Sequence, residues 1–349
     1  MTGVPSLLTY DEVRTQSGGG RRFALLGNGF SIECDPVFHY PSLYGAAVDA
    51  GLSLRAQKLF ERLGTNNFEG VLRLLDDAHW VAVTYGVAPG LLQEMRDDAE
   101  VVKKTLVEAV TKSHLAHTGK VPDAKKDAAK KFISEFHHVF TTNYDLLPYW
   151  LIMHGEKPSH QDGFRSDDDD PEAPYVVFTE RLGDTSGLFF LHGALHYFLK
   201  DGELCKHCWC RTNRLLTDQI KEGLASGRYP LFVAEGSPDK KLEQIQRVGY
   251  LWYALEKFSR IESPLVVFGH SLGSSDGHIA NAIADNLALS KMYVGLHGDS
   301  ESASNLAIRG AVDQIVSRRE ERLKGKKPAK KKSSLEVQFY DSGTAKPWG

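Results

Sequence analysis

Cysteine and methionine are scarce, with four of each in 349 residues. Three of the cysteines, Cys205, Cys208 and Cys210, fall within one six-residue stretch, CKHCWC. A disulfide framework is not laid out that way. No apolar run is long enough to cross a bilayer. The opening residues, MTGVPSLLTYDEVRTQ, lack a basic start followed by an apolar stretch, so no signal peptide is expected. A cytoplasmic protein without a membrane partner follows as the expectation. Charge of one sign is also lacking: the formal net charge is only -3. Bulk charge therefore neither demands nor forbids a nucleic-acid partner. No internal repeat interrupts the chain.

What is present is a pattern of short apolar runs separated by helical stretches. RRFALL reads as a first buried strand. A long helical region follows. NNFEGVLRLLDDAHWV places Phe68, Val71, Leu72 and Leu75 on one face, and the next segments repeat that spacing with Val102, Leu106 and Val110, then Phe132, Ile133 and Phe136. From Tyr250 the order is helix, strand, helix, strand, helix, strand, which signals a mostly parallel sheet covered by helices. The expected fold is α/β and Rossmann-like, a mostly parallel sheet with helices on both faces and a large helical insertion. The core should span residues 18–39 and 131–349, the insertion residues 40–130, and a smaller excursion with the cysteine cluster residues 196–249.

Four strand-like runs end in chemically loaded loops. The first is Gly27, Asn28, Gly29, Phe30 and Ser31, where two glycines let backbone approach an anion closely; a plain tight turn explains them equally well. The second is Thr141, Thr142, Asn143, Tyr144 and Asp145, of which a helix cap explains only one polar residue. The third is His192-Gly193 after LFFL. The fourth is Gly269-His270-Ser271-Leu272-Gly273, a G-x-S-x-G word after a strand, as in the nucleophile elbow of serine hydrolases. That reading of Ser271 needs an acid and then a histidine from later loops. The only later histidines are His278, inside the next helix, and His297. In a parallel sheet the four loops share one edge and line one crevice.

Together GNGFS, TTNYD, the His-Gly pair and GHSLGSSDGHI resemble the SIR2 (sirtuin) superfamily, and more closely its bacterial SIR2-like members. The resemblance spans nearly the whole chain. It implies that Gly27, Asn28, Gly29 and Ser31 bind the dinucleotide pyrophosphate. By the same resemblance Thr141, Asn143 and Asp145 hold the nicotinamide ribose, His192 is the catalytic histidine, and Gly269 and Ser271 touch the adenosine side. NAD would be the substrate, with Asn143, His192 and Asp145 as the catalytic set. The arginine segment and paired Cys-x-x-Cys zinc module of deacetylating sirtuins are missing. Three thiolates with His207 or His196 are too cramped for a standard zinc clip, and no metal is assigned.

The resemblance thus implies an NAD+ glycohydrolase of the kind found among anti-phage effectors. The other readings are an NAD-dependent ADP-ribosyltransferase or deacylase, a nucleotide-sensing module acting through a partner, and a serine hydrolase using Ser271. An always-active NAD hydrolase would be toxic, so self-association or a separate activator protein is expected as its gate. The lysines from Lys324 to Lys332 read as a solvated basic loop, with nucleic acid as a weaker possibility.

Overall fold

The computed structural model describes residues 7–66, 68–180, 182–226, 228–233, 238–262, 264–324 and 334–349. Ten strands lie among the described residues: β1 (Phe23–Leu26), β2 (His138–Thr141), β3 (Phe164–Arg165), β4 (Tyr175–Phe178), β5 (Gly187–Phe190), β6 (Tyr197–Lys200), β7 (Glu203–His207), β8 (Leu265–Phe268), β9 (Lys291–Leu296) and β10 (Glu336–Asp341). Six of them form one sheet in the order β10-β9-β8-β1-β2-β5, and every pairing in it is parallel. Strands β1, β5 and β8 are buried along their whole length, which is why FALL, GLFF and LVVF are apolar without alternation.

Counting only these six strands in chain order, the sheet reads 3-2-1-4-5-6. That order reverses between β1 and β8, and doubly wound sheets bind ligands in the crevice at such a point.

Between β1 and β2 lie helices Tyr40–Asp49, Leu54–Leu63, Phe68–Thr84, Pro89–Ser113 and Asp123–Ile133. The predicted apolar faces are buried as the spacing requires: Phe68, Val71, Leu72, Leu75, Val102, Leu106 and Val110. They pack in the same continuous core as β1, β2, β5 and β8, so the helices form a wall of the sheet domain. Local signals set their ends. Ser53 caps the Leu54–Leu63 helix by accepting the Ala56 amide at 3.1 Å, and Gly64 ends it in the left-handed conformation (φ 60°).

The smaller excursion begins earlier than residue 196. β3 and β4 precede β5, yet they pair with β7 and β6 in a second, antiparallel sheet of order β3-β4-β7-β6. YVVF is strand-like in pattern, but pattern alone does not say which sheet a strand joins. That choice is made by non-local pairing. Two cysteines of this region meet, with Cys208 Sγ 2.7 Å from Cys210 Sγ, whereas Cys205 packs separately against Ala173, Tyr175 and Phe198. Among the described residues no helix is long and apolar enough to cross a membrane. Of the basic run Lys324 to Lys332, all but Lys324 lies outside the described residues.

Candidate functional site

The two glycine loops at the reversal of strand order are pressed together. The Gly27 amide donates to Phe268 O at 2.9 Å, and the Gly29 amide to Gly269 O at 3.0 Å. A Cβ on Gly29 would sit 2.6 Å from the Gly269 Cα. Gly269 itself has a φ of +64°, a conformation that L side chains rarely adopt. The glycines are therefore explained first by loop-on-loop contact. That contact places Asn28 and Gly29 beside Gly269, His270 and Ser271 at the mouth of a cavity of about 370 Å³. This volume lies within the usual range of small-molecule sites. The helical wall contributes Phe68, Leu106, Val110 and His114 to the cavity.

One side of the cavity carries the Asn-Tyr-Asp loop. The Asn143 amide group donates to Gly27 O at 3.1 Å and to Ser31 Oγ at 2.8 Å. Ser31 in turn donates to Asp145 Oδ2 at 2.6 Å, and the Leu147 amide donates to Asp145 Oδ1 at 2.8 Å. Thr141 Oγ1 accepts the Asn143 backbone amide at 3.0 Å. Both amide protons of Asn143 are thereby spent inward, which leaves its carbonyl oxygen for the cavity. Burial pushes the Asp145 carboxyl up from its ordinary 3.8 to about 6, against the Ser31 and Leu147 hydrogen bonds that favour its charged form. His114 anchors the helical wall to this loop: its Nε2 accepts the Leu146 amide at 2.9 Å, and its Nδ1 meets Leu115 O at 2.9 Å. Burial drops its pKa to about 4, so it stays neutral.

His192, at the turn after β5, also lines the cavity. The Val233 amide donates to His192 O at 2.8 Å, and Gly193 (φ +81°) lets the turn pass close under Leu231. His192 Nε2 lies 2.8 Å from His278 Nε2 and 3.8 Å from Asp276 Oδ1. Asp276 Oδ1 also takes the fully buried Lys241 ammonium at 3.1 Å, and Asp276 Oδ2 lies 3.5 Å from His270 Nε2. Burial drives the His192 pKa well below the usual histidine range, opposed by Asp276. Burial likewise brings His278 to about 4. For Asp276 burial acts upward, but His270, His192 and Lys241 outweigh it and hold the carboxylate charged. Ligand atoms of His192, Asp276 and His278 lie within 4.8 Å of one another. The Lys241 ammonium already supplies the positive charge at that carboxylate, so the cluster is balanced as an ion pair beside two neutral imidazoles.

Of the residues singled out from sequence, Asn28, Gly29, Asn143, Asp145, His192, Gly269 and Ser271 line this one cavity. Gly27, Ser31 and Thr141 stand behind its wall, where Ser31 ties Asn143 to Asp145 instead of facing a ligand. Ser271 is exposed, and its Oγ accepts the Gly273 amide at 3.3 Å. The histidine network is centred on Asp276, not on this hydroxyl. Sequence reasoning missed the roles of His270, Asp276, His278 and Lys241. The first three share the segment GHSLGSSDGHI, where they look like turn and helix-start residues. Lys241 had no local signal at all.

The chain belongs to the family described as a domain of unknown function (DUF4917), whose model matches residues 24–348. No curated protein matches it.

Proposed function

We propose that this member of the DUF4917 family cleaves the bond between nicotinamide and ribose in NAD, releasing nicotinamide and ADP-ribose. The observation that supports the reading is the meeting of Asn143, Asp145 and His192 with both glycine loops in one cavity, at the reversal of strand order.

The chemistry asks little acid catalysis of the protein. Nicotinamide leaves neutral, and positive charge grows on the ribose carbon. What is needed is orientation, a place for that charge and a base for water. The inward-tied Asn143 presents its carbonyl to a ribose hydroxyl or to the attacking water. Asp145, above its pKa of about 6 at neutral pH, offsets the developing cation. His192, kept neutral by burial, takes the proton that water loses on attack. Phe68, Leu106 and Val110 keep bulk water from one wall. Gating by self-association or by a separate activator belongs to the same reading, because unregulated cleavage would exhaust the cell's NAD.

The test is release of nicotinamide and ADP-ribose from NAD by the purified full chain, assayed alone, across its oligomeric states and with candidate activators. We expect His192→Ala and Asn143→Ala to remain folded and to lose at least about a hundredfold in rate, the lower end for loss of a positioned base. Wild-type rates in both variants would move the chemistry elsewhere. Deacetylation of an acetylated peptide without NAD hydrolysis would replace the reading by a deacylase.

A further inference from the structure

His192 faces His278 through Nε2, so its Nδ1 is the ring nitrogen left for the cavity. A base at that position must carry its proton on Nε2, and the question is what holds it there. Two neutral imidazoles 2.8 Å apart share one proton, and either could be the donor. If His278 donated, its proton would sit on Nε2 and its Nδ1 would be a bare acceptor. If His192 donates, His278 carries its proton on Nδ1, which is buried without a partner. Orphan cost alone favours the first arrangement, and that arrangement would put a proton on His192 Nδ1 and leave no base facing the cavity.

The neighbouring charge decides the other way. Asp276 gathers donors: Lys241 lies on its Oδ1 at 3.1 Å. His270 Nδ1 accepts the Leu272 amide at 2.9 Å, so the His270 proton is on Nε2, 3.5 Å from Asp276 Oδ2. His192 Nε2 stands 3.8 Å from Asp276 Oδ1, beyond a hydrogen bond but near enough for the carboxylate charge to favour a proton on that nitrogen. The proton on a histidine ring is set by the partner of the other nitrogen. The groups facing the histidine pair are Asp276, Lys241, His270 and each other, with the Tyr144 ring 6.5 Å from His192.

We infer that His278 and Asp276 are positioning residues that keep the His192 proton on Nε2 and leave Nδ1 as the base facing the cavity. The kinetic part of this inference rests on the NAD-cleavage reading; the proton's position does not. Long-range nitrogen–proton NMR on the full chain with ¹⁵N-labelled histidine reads the tautomer directly, with the His192 signals assigned from a His192→Asn variant. The expected result is a protonated Nε2 and a bare Nδ1. A proton on Nδ1 overturns the inference, whether or not NAD is cleaved. So does one tightly bound metal ion per chain that is lost in His278→Gln.

Kinetically, His278→Ala should lower kcat about tenfold or more while KM for NAD stays within about twofold. His278→Gln, whose amide carbonyl can accept the same proton, should recover most of that loss. An unchanged kcat in His278→Ala overturns the positioning role. If His278→Ala does not fold, the wild-type tautomer and the His278→Gln kinetics decide it. Failure of the wild type to cleave NAD refutes the proposed function and leaves the tautomer result standing.

Discussion

On one side of the cavity, Asn143, Ser31 and Asp145 form a closed set in which each donor has an acceptor and each link is 3.1 Å or shorter. On the other side, His192, His278, Lys241 and His270 are just as buried and Asp276 nearly so, yet His278 Nδ1 has no hydrogen-bond partner and His270 Nε2 comes no closer than 3.5 Å to Asp276 Oδ2. Both sides are made of polar groups drawn out of water, which costs free energy unless they are paired. The closed side recovers that cost and behaves as scaffold. The open side retains spare hydrogen-bonding capacity around a histidine, and in a low-dielectric pocket such capacity is costly to keep. The difference separates a frame that shapes the cavity from a cluster that keeps a buried ring nitrogen unpaired.

The largest expected effect lies at Ser31. Ser31→Ala removes the shared link and leaves one Asn143 amide proton and one Asp145 oxygen unpaired, while the bonds to Gly27 O and from the Leu147 amide remain. Chemical denaturation should show a loss of about 1–3 kcal/mol, the cost of unsatisfied buried groups. A neutral result would mean that the closed side is not a frame.

A comparable effect concerns pH. The Asp145 pKa is raised in the folded chain to about 6 from 3.8, so the fold binds its proton more tightly than the unfolded chain does. Its contribution favours folding below about pH 4 and is lost as pH rises through 6. Stability measured against pH should therefore fall across that window in the wild type relative to Asp145→Asn. Parallel curves would show that the Ser31 and Leu147 hydrogen bonds fully offset the burial.

The smallest effect belongs to Ser271, which takes part in neither network. On the proposed NAD-cleavage reading, Ser271→Ala should weaken NAD binding by one hydrogen bond, about 0.5–1.5 kcal/mol, and leave catalysis measurable. A fluorophosphonate probe should leave this serine unlabelled. Stoichiometric labelling with ester hydrolysis would make the Gly269–Gly273 turn a nucleophile elbow after all.

Much of the architecture was legible in the chain because its signals are local. The helical faces around Phe68, Leu106 and Phe132 show a 3.6-residue period, and the strands FALL and LVVF are apolar runs too short for helices. The four loops at strand ends could be named in advance because a parallel sheet brings all strand C-termini to one edge. The sheet that Tyr175–Phe178 joins was not legible, since an antiparallel partner is chosen across the fold.

Local patterning in the chain specifies the alternation of strands and helices, the helical wall after β1, and the polar residues that end β2, β5 and β8. Which of those residues face the cavity is set by the packing of segments distant in the chain. That packing turned Ser31 inward, because a hydroxyl between an amide and a carboxylate satisfies three buried groups at once. It also brought Lys241 and His278 to Asp276 and His192, from helices whose own patterns speak only of turns and packing. Charge pairing of that kind depends on distance in space, and sequence spacing carries no trace of it.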